Sequence, residues 1–559
     1  LPTPRSGRRR GLLLPLRNLL DHVLELRPAG GARGGLGSPA GSLLRAGSSS
    51  KFRWRECFSF VGPGFLMAIA YIDPGNFESD LAAGAQFEYS LLWVLLLSTA
   101  MGWLIQILTV LLAITTGLDL AQACRHEYPR PIRLLLWILA EMTIIASDIP
   151  EVIGTAFALK MLFGLQVWMG VILTGFSVMV FLLINEIGYR AMEVFFAGIV
   201  SVISLCYLVM LFYAQAPAGK VLQGLFSFGW FQSPVFSSVD PDGNSLDGSV
   251  YIAVSLLGAL VMPHNLFLHS SLSLARDLPT SKSQVRLHLL YNTLESGFAL
   301  LVSLFINVAV VITAVATVQR ADLTEEERYT FISQPLQHAP EMLTFLGRAA
   351  KPLFGVALLA SGQSSTMTGT LAGQYVMEGF VELKFSPALR AFLTRMVAII
   401  PSLVVTLVAG ESGSEALIKL CSVILSFQLP FALIPLIKFV MSEQVMGDLV
   451  LKRYLKYGAL LCSACVVVAN LVLLPQLLFT TDAVNGSPLG IFIGVLCGLL
   501  VLVYVVGLVY ISWRKVSFQL GEVAPDRWTV VGCGGLGYSR GEPSDETRLL
   551  KEGRGNSST

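Results

Sequence analysis

Charge is what this sequence has least of. Lys, Arg, Asp and Glu make up 14% of its 559 residues, where a soluble globular chain carries about a quarter, and a water-soluble protein is thereby excluded. The remainder is apolar: hydrophobic residues reach 54% and mean hydropathy is +0.67. No GxxxxGK[ST] phosphate loop and no HExxH pair occurs, and no stretch between the apolar runs is long enough for a sizeable extramembrane domain. An enzyme or a receptor therefore finds no support, and work done across a membrane would draw on an ion gradient. Cysteine is scarce as well, eight in all and dispersed. Cys462 and Cys465 form a CxxC inside YGALLCSACVVVANLVLL, where a thiol is expected to pack as a small hydrophobe rather than serve redox or zinc chemistry. The net charge of +2 identifies no partner, and nothing points to nucleic acid.

What the chain has in abundance is long apolar runs. Stretches of about 18 residues or more, enough to cross a bilayer as helix, fall near 58–86, 90–117, 133–163, 167–188, 190–215, 249–277, 297–318, 344–382, 390–410, 415–441, 454–478 and 489–513. The pattern predicts an all-α integral membrane protein of about 12 helices, with the lipid bilayer as its surroundings and both termini on one side. Arg5, Arg8, Arg9, Arg10, Arg53 and Arg55 lie in the N-terminal tail. Arg125, Arg130 and Arg133, then Arg276, Lys282 and Arg286, then Lys452, Arg453 and Lys456 lie in loops on its side, which the positive-inside rule makes cytosolic. The opposite loops lean acidic, as in VDPDGNSLD (239–247) and DLTEEER (322–328), and one holds the sequon Asn485-Gly486-Ser487. Residues 1–55 read as a disordered basic tail, 56–513 as the transmembrane body and 514–559 as a cytosolic tail without a fold of its own. The Arg-rich leader has the composition of a transit peptide as much as of a shortened chain. It therefore fixes no compartment, and plasma, endosomal and vacuolar membranes all fit.

One stretch contradicts its surroundings. YIDPGNFESD (71–80) follows the apolar run FSFVGPGFLMAIA and sets an aspartate and two helix breakers where a bilayer should be crossed. A charge near the bilayer centre costs at least about 3 kcal/mol on insertion scales, and Pro removes a backbone donor. Unwound backbone at that depth is tolerated where it is buried in protein or lines a cavity. Its freed carbonyls, with Asp73 and Asn76, then become hard oxygen ligands for a cation; the bland alternative is a kinked helix that Asp73 merely caps. A second breaker favours the first reading. Pro263, in GALVMPHNLFLHSSL (258–272), interrupts the sixth run five helices after the first, and interrupted segments at matching places in two halves point to the binding site of an inverted-repeat transporter. Repeat one would span about 56–215 and repeat two about 249–441, with two extra helices at 454–513. The donors on offer are the Asp73 carboxylate, the Asn76 amide, main-chain carbonyls near Ala70 and Ala259, and the Met262 thioether. A sulfur adds little for Mg2+ or Ca2+ and favours softer divalent transition metals.

These residues also carry a resemblance. DPGN at 73–76, MPHN at 262–265 and GQSSTMTGTLAGQYVMEGF at 362–380 together resemble the natural resistance-associated macrophage protein (Nramp) family of divalent metal transporters, over about residues 56–480. SDIPEVIGTAFAL (147–159) and LGALVMPHNLFLHSSL (257–272) are most similar to plant and algal members. The resemblance implies an inverted 5+5 repeat with helices 1 and 6 broken. It also implies proton-coupled uptake of Mn2+ or Fe2+ toward the cytosol, with Cd2+, Co2+ and Zn2+ as further cargo and no resident cofactor. It places the metal on Asp73, Asn76 and Met262 with the carbonyls of Ala70 and Ala259. Where family members offer a further amide on the tenth helix this chain reads KLCSVILSFQLPFA; Ser422 occupies that place and Gln428 is the other candidate. Two alternatives stay open. A transporter of Mg2+ or another cation on the same fold is expected to lack the thioether, and an ion-coupled amino acid transporter would have Asp73 repelling its substrate's carboxylate.

Protons are the second expected partner. The third run holds Glu141, Asp148 and Glu151, spaced by seven and three so that they share one helical face. Acids on a buried stripe must be protonated, paired or wet, and such chains mark proton relays. Arg276 and Arg395 are the available partners, and His264 and His269 lie beside the second break. With Asp73 these residues form the expected proton pathway; the structural alternative is a fixed salt-bridge network joining helices three, six and nine. GQSSTMTGT reads as close helix packing rather than as ligands from Gln363 or Gln374.

Overall fold

The computed structural model describes residues 70–176, 189–227, 248–274, 278–279, 281–320, 322–342, 350–383, 387–451, 453–479 and 488–520. Arg276, the sequon at Asn485, the tail 1–55 and the chain beyond 520 lie outside these residues. Among the described residues helix dominates and no β-strand occurs. In chain order the helices of eight residues or more are α1 (Pro74–Phe87), α2 (Leu92–Thr116), α3 (Leu120–Glu127), α4 (Arg130–Phe163), α5 (Val167–Phe176), α6 (Tyr189–Ala214) and α7 (Ala218–Phe226). There follow α8 (Ser249–Leu260), α9 (Pro263–Leu274), α10 (Lys282–Val318), α11 (Glu325–Ser333), α12 (Pro335–Met342), α13 (Ala350–Val381), α14 (Pro387–Val408), α15 (Gly410–Met441), α16 (Arg453–Phe479) and α17 (Pro488–Trp513).

Among the described residues five helices are long and apolar enough to cross a bilayer, or seven if two bent pairs, α4 with α5 and α6 with α7, each count as one span. The twelve expected runs are therefore not all met as single long helices, for a physical reason in several cases. The first and sixth runs are interrupted by a break, and α4 carries the acids on its buried stripe. Outward-facing residues such as Phe212, Val408 and Trp513 are exposed and apolar, as lipid contact requires.

The broadest packing is between α4 and α13. It rests on small residues: a Cβ at Gly362 would lie 2.3 Å from Thr155 Oγ1, so GQSSTMTGT allows the two backbones to close up. Local signals fix the helix ends around this pair. Gly117 and Gly164 stop α2 and α4 in left-handed conformation, at φ 74 and 71. Asp119 and Gln122 form a capping box at the start of α3. The chain from Arg514 to Phe518 then runs onto α3, where Glu127 Oε2 accepts from the Ser517 and Phe518 amides at 2.7 and 3.2 Å and Oε1 from Arg514 Nε at 3.1 Å. The first residues after α17 are thus held against the bundle.

Candidate metal site

Both expected breaks are present. Ala70 is helical, residues 71–73 leave helical geometry, and α1 starts at Pro74, whose missing N–H costs nothing in a first turn. Asp73 is its N-cap, at φ −78 and ψ 168. The freed carbonyls of Tyr71 and Ile72 are taken up by neighbours: Asn307 Nδ2 of α10 donates to Tyr71 O at 3.1 Å, and Ser361 Oγ of α13 donates to Ile72 O. The second break lies at Val261 and Met262, between α8 and α9.

The side chains bring the two breaks together. Asp73 Oδ1 accepts from the Asn76 amide N–H at 2.8 Å and from Asn76 Nδ2 at 2.6 Å, and the same Nδ2 donates to Ala259 O at 3.1 Å. One NH2 group therefore sits between a carboxylate of the first broken helix and a carbonyl of the second. Asn76 Oδ1 is buried without a partner among the described residues. A half-turn of the amide would exchange NH2 for Oδ1 and gather three oxygens, an arrangement that a cation or a proton must hold together. Asp73, Asn76 and Met262 are all buried, and Met262 packs with Ala146 and Leu425. Ser422 also comes close: a Cβ at Gly75 would meet Asp73 Oδ2 and Ser422 Oγ, each at 3.3 Å. Gln428 is engaged elsewhere, its Oε1 accepting from Thr143 Oγ1 of α4.

The acids of α4 are paired with α14. Arg395 donates to Asp148 Oδ1 and lies 3.9 Å from Glu151 Oε2, all three groups being buried. Glu141 takes Arg390 through both oxygens, at 2.9 and 2.8 Å, and accepts from Trp137 Nε1 at 3.0 Å. His264 occupies the first turn of α9 and is buried, and its Nδ1 has no partner among the described residues; His269 is buried further along the same helix.

Residues 64–476 match the family described as natural resistance-associated macrophage protein-like. The chain belongs to the Nramp family. Metal transporter Nramp6 of Arabidopsis thaliana is 48% identical over 399 residues, covering 71% of this chain and 73% of the relative. Metal transporter Nramp3 of Oryza sativa subsp. japonica is 43% identical over 468 residues, 83% of this chain and 82% of that one. Among solved structures, the manganese transporter of Eremococcus coleocola in complex with an aromatic bis-isothiourea compound superposes with a TM-score of 0.71. It has 31% identity and covers 82% of this chain and 94% of the other. The family is one of metal ion transporters, not enzymes, and its fold contains the broken helices described above.

Within this Nramp chain, several polar residues around the site escaped the sequence reading. Arg390 is a second arginine on α14, visible in PALRAFLTR but unmarked by any motif. Asn307 and Ser361 sit in ordinary apolar helices and matter only because each meets the carbonyl of an unwound residue. Glu415 of α15 is buried and accepts the Leu336 and Gln337 amides of α12 at 2.8 and 3.3 Å. Cys462 and Cys465 are free thiols, the first half-buried and the second exposed.

Proposed function

We propose that this protein moves divalent transition-metal ions toward the cytosol in symport with protons, Mn2+ and Fe2+ foremost and Cd2+, Co2+ and Zn2+ within reach of the same donors. It would do so in a plasma, endosomal or vacuolar membrane with both termini cytosolic. The observation that supports this reading most is the Asn76 amide bridging the Asp73 carboxylate and the Ala259 carbonyl. In the proposal an incoming ion takes the place of that NH2. It exchanges water for Asp73, a rotated Asn76 Oδ1, the Ala70 and Ala259 carbonyls and the Met262 sulfur, with Ser422 beside them. The thioether gives softer ions their advantage.

Asp73 gives up or redirects a proton when the cation arrives. Charge balance supports a route along α4: Asp148 and Glu151 face a single Arg395, so one buried negative charge is left for a proton to neutralise. His264 and His269 on α9 lie between this pair and the metal donors in the proposed path. Glu141, held by both arms of Arg390, marks its far end. The two broken helices would rock against α4, α13 and α14, opening the site to each side in turn.

The test is Mn2+ uptake into proteoliposomes with and without an inward proton gradient, comparing the native protein with Asp73→Ala. Gradient-stimulated uptake that the substitution abolishes is the expected result. Absence of Mn2+ uptake by the folded native protein under either condition would overturn the reading, and Mg2+ and amino acids are then the substrates to test.

A further inference from the structure

A cavity of 460 Å3 lies between α2 and α10, within the range of roughly 300–1,000 Å3 usual for small-molecule sites. It belongs to a different stripe of α2 from the one that serves the break, where Gly102 and Gln106 meet Tyr71. Leu96, Ala100 and Trp103 form the α2 wall, and Thr293, Leu301 and Leu304 much of the other. Thr293 to Leu304 covers about 16 Å of helix at roughly 1.5 Å per residue. Phe298 and Leu301 at the rim are more than half exposed. Both walls belong to membrane-crossing candidates, and most of the lining is apolar.

Two details make this more than a gap in packing. Trp103 Nε1 donates to Thr293 O at 3.1 Å, and a Cβ at Gly297 would lie 3.1 Å from the indole, so the ring is held flat against α10 by a residue without a side chain. The second is the Thr293 hydroxyl. Thr293 is 7% exposed, lines the cavity, and its Oγ1 has no partner among the described residues. Helical threonines here ordinarily return the hydroxyl to a carbonyl three or four residues back, as Thr99, Thr116, Thr143, Thr313 and Thr317 do. A buried hydroxyl left without a partner is costly in a membrane.

We propose that this cavity is a lipid site for a sterol, with the sterol hydroxyl bonded to Thr293 Oγ1 and its ring face laid along Trp103 and the leucines. The lining selects this class. Among the described residues no charged side chain borders the cavity, so a phospholipid headgroup finds no counter-charge. A bare acyl chain fills the apolar volume and leaves the Thr293 hydroxyl unsatisfied. A rigid apolar body with one hydroxyl matches both.

The experiment uses the full chain in sterol-free phosphatidylcholine nanodiscs and measures binding of tritium-labelled cholesterol. Saturable binding is expected, weakened about five- to tenfold by Thr293→Val, the effect of one hydrogen bond, and restored by Thr293→Ser. Unlabelled cholestane, the same ring system without the hydroxyl, should compete poorly. Competition by cholestane as strong as by cholesterol, or unchanged affinity in Thr293→Val, overturns the proposal in favour of an acyl-chain slot. Non-saturable partitioning overturns the site altogether. The cholestane competition is read on the native protein, so it stands even if a variant fails to fold.

Discussion

In the proposed site Met262 supplies the one donor that would tell metals apart by softness. Oxygen ligands of the kind Asp73, Asn76 and Ala259 supply suit Ca2+ and Mg2+ as well as Mn2+, so in the proposed site the sulfur carries the discrimination. Met262→Ala should raise Ca2+ uptake relative to Mn2+ by about tenfold, or roughly 1.4 kcal/mol. Competition between the two ions in proteoliposomes reads it, and an unchanged ratio removes the sulfur from the account. The ratio is the proper readout because the substitution also empties space beside Ala146 and Leu425 and lowers stability on its own. The two helix breaks were legible in the sequence because each is a local anomaly: a proline, beside a carboxylate in the first case, where a plain apolar helix should run. Their supports were not. Asn307 and Ser361 bond residues 236 and 289 positions away, and nothing in their own neighbourhoods distinguishes them from other polar residues of a helix bundle.

The elements around the site meet at closer range than ordinary side chains allow. A Cβ at Gly258 of α8 would lie 1.9 Å from Ser422 O and 2.8 Å from Ser426 N of α15. That contact sets the last turn of α8, and with it Ala259 O, against the helix that presents Ser422. Gly258→Ala must push α8 outward, at a cost of about 1–3 kcal/mol for overpacking. We expect a lower thermal midpoint together with weaker Mn2+ uptake at low metal concentration. A variant with native stability and native uptake would show that the approach is not needed. Hydropathy alone predicted the long helices, since a run of apolar residues at membrane length has few other solutions. It missed α3, α7, α11 and α12, which are eight or nine residues each. Their starts are written in capping residues such as Asp119 and Thr324, or in a leading proline, rather than in hydrophobicity.

At the scale of the whole molecule, α3 ties distant parts of the bundle together outside the membrane. Glu127 at its end holds the chain after α17, the Leu120 amide donates to Ser270 Oγ of α9 at 3.0 Å, and a Cβ at Gly379 of α13 would come within 3.2 Å of Asp119 Oδ1. Asp119 thus lies where α3, α9 and α13 converge, and burial pushes its carboxyl up to about 6 from 3.8. The Gln122 and Ala121 amides, Arg125 and Ser271 pull the other way. The sign of the consequence follows from where the proton sits. Between about pH 4 and pH 6 the folded protein keeps a proton on Asp119 that the unfolded chain has released. Folding therefore becomes less favourable as pH rises through that window, by on the order of 2–3 kcal/mol in all, and constant above it. Asp119→Asn retains a capping oxygen but cannot ionise. In detergent, thermal midpoints measured from pH 4 to pH 7 should show a smaller fall with rising pH in Asp119→Asn than in the native protein. Identical profiles would mean that the carboxyl is already ionised at the bottom of the window and that α3 is docked by its hydrogen bonds alone.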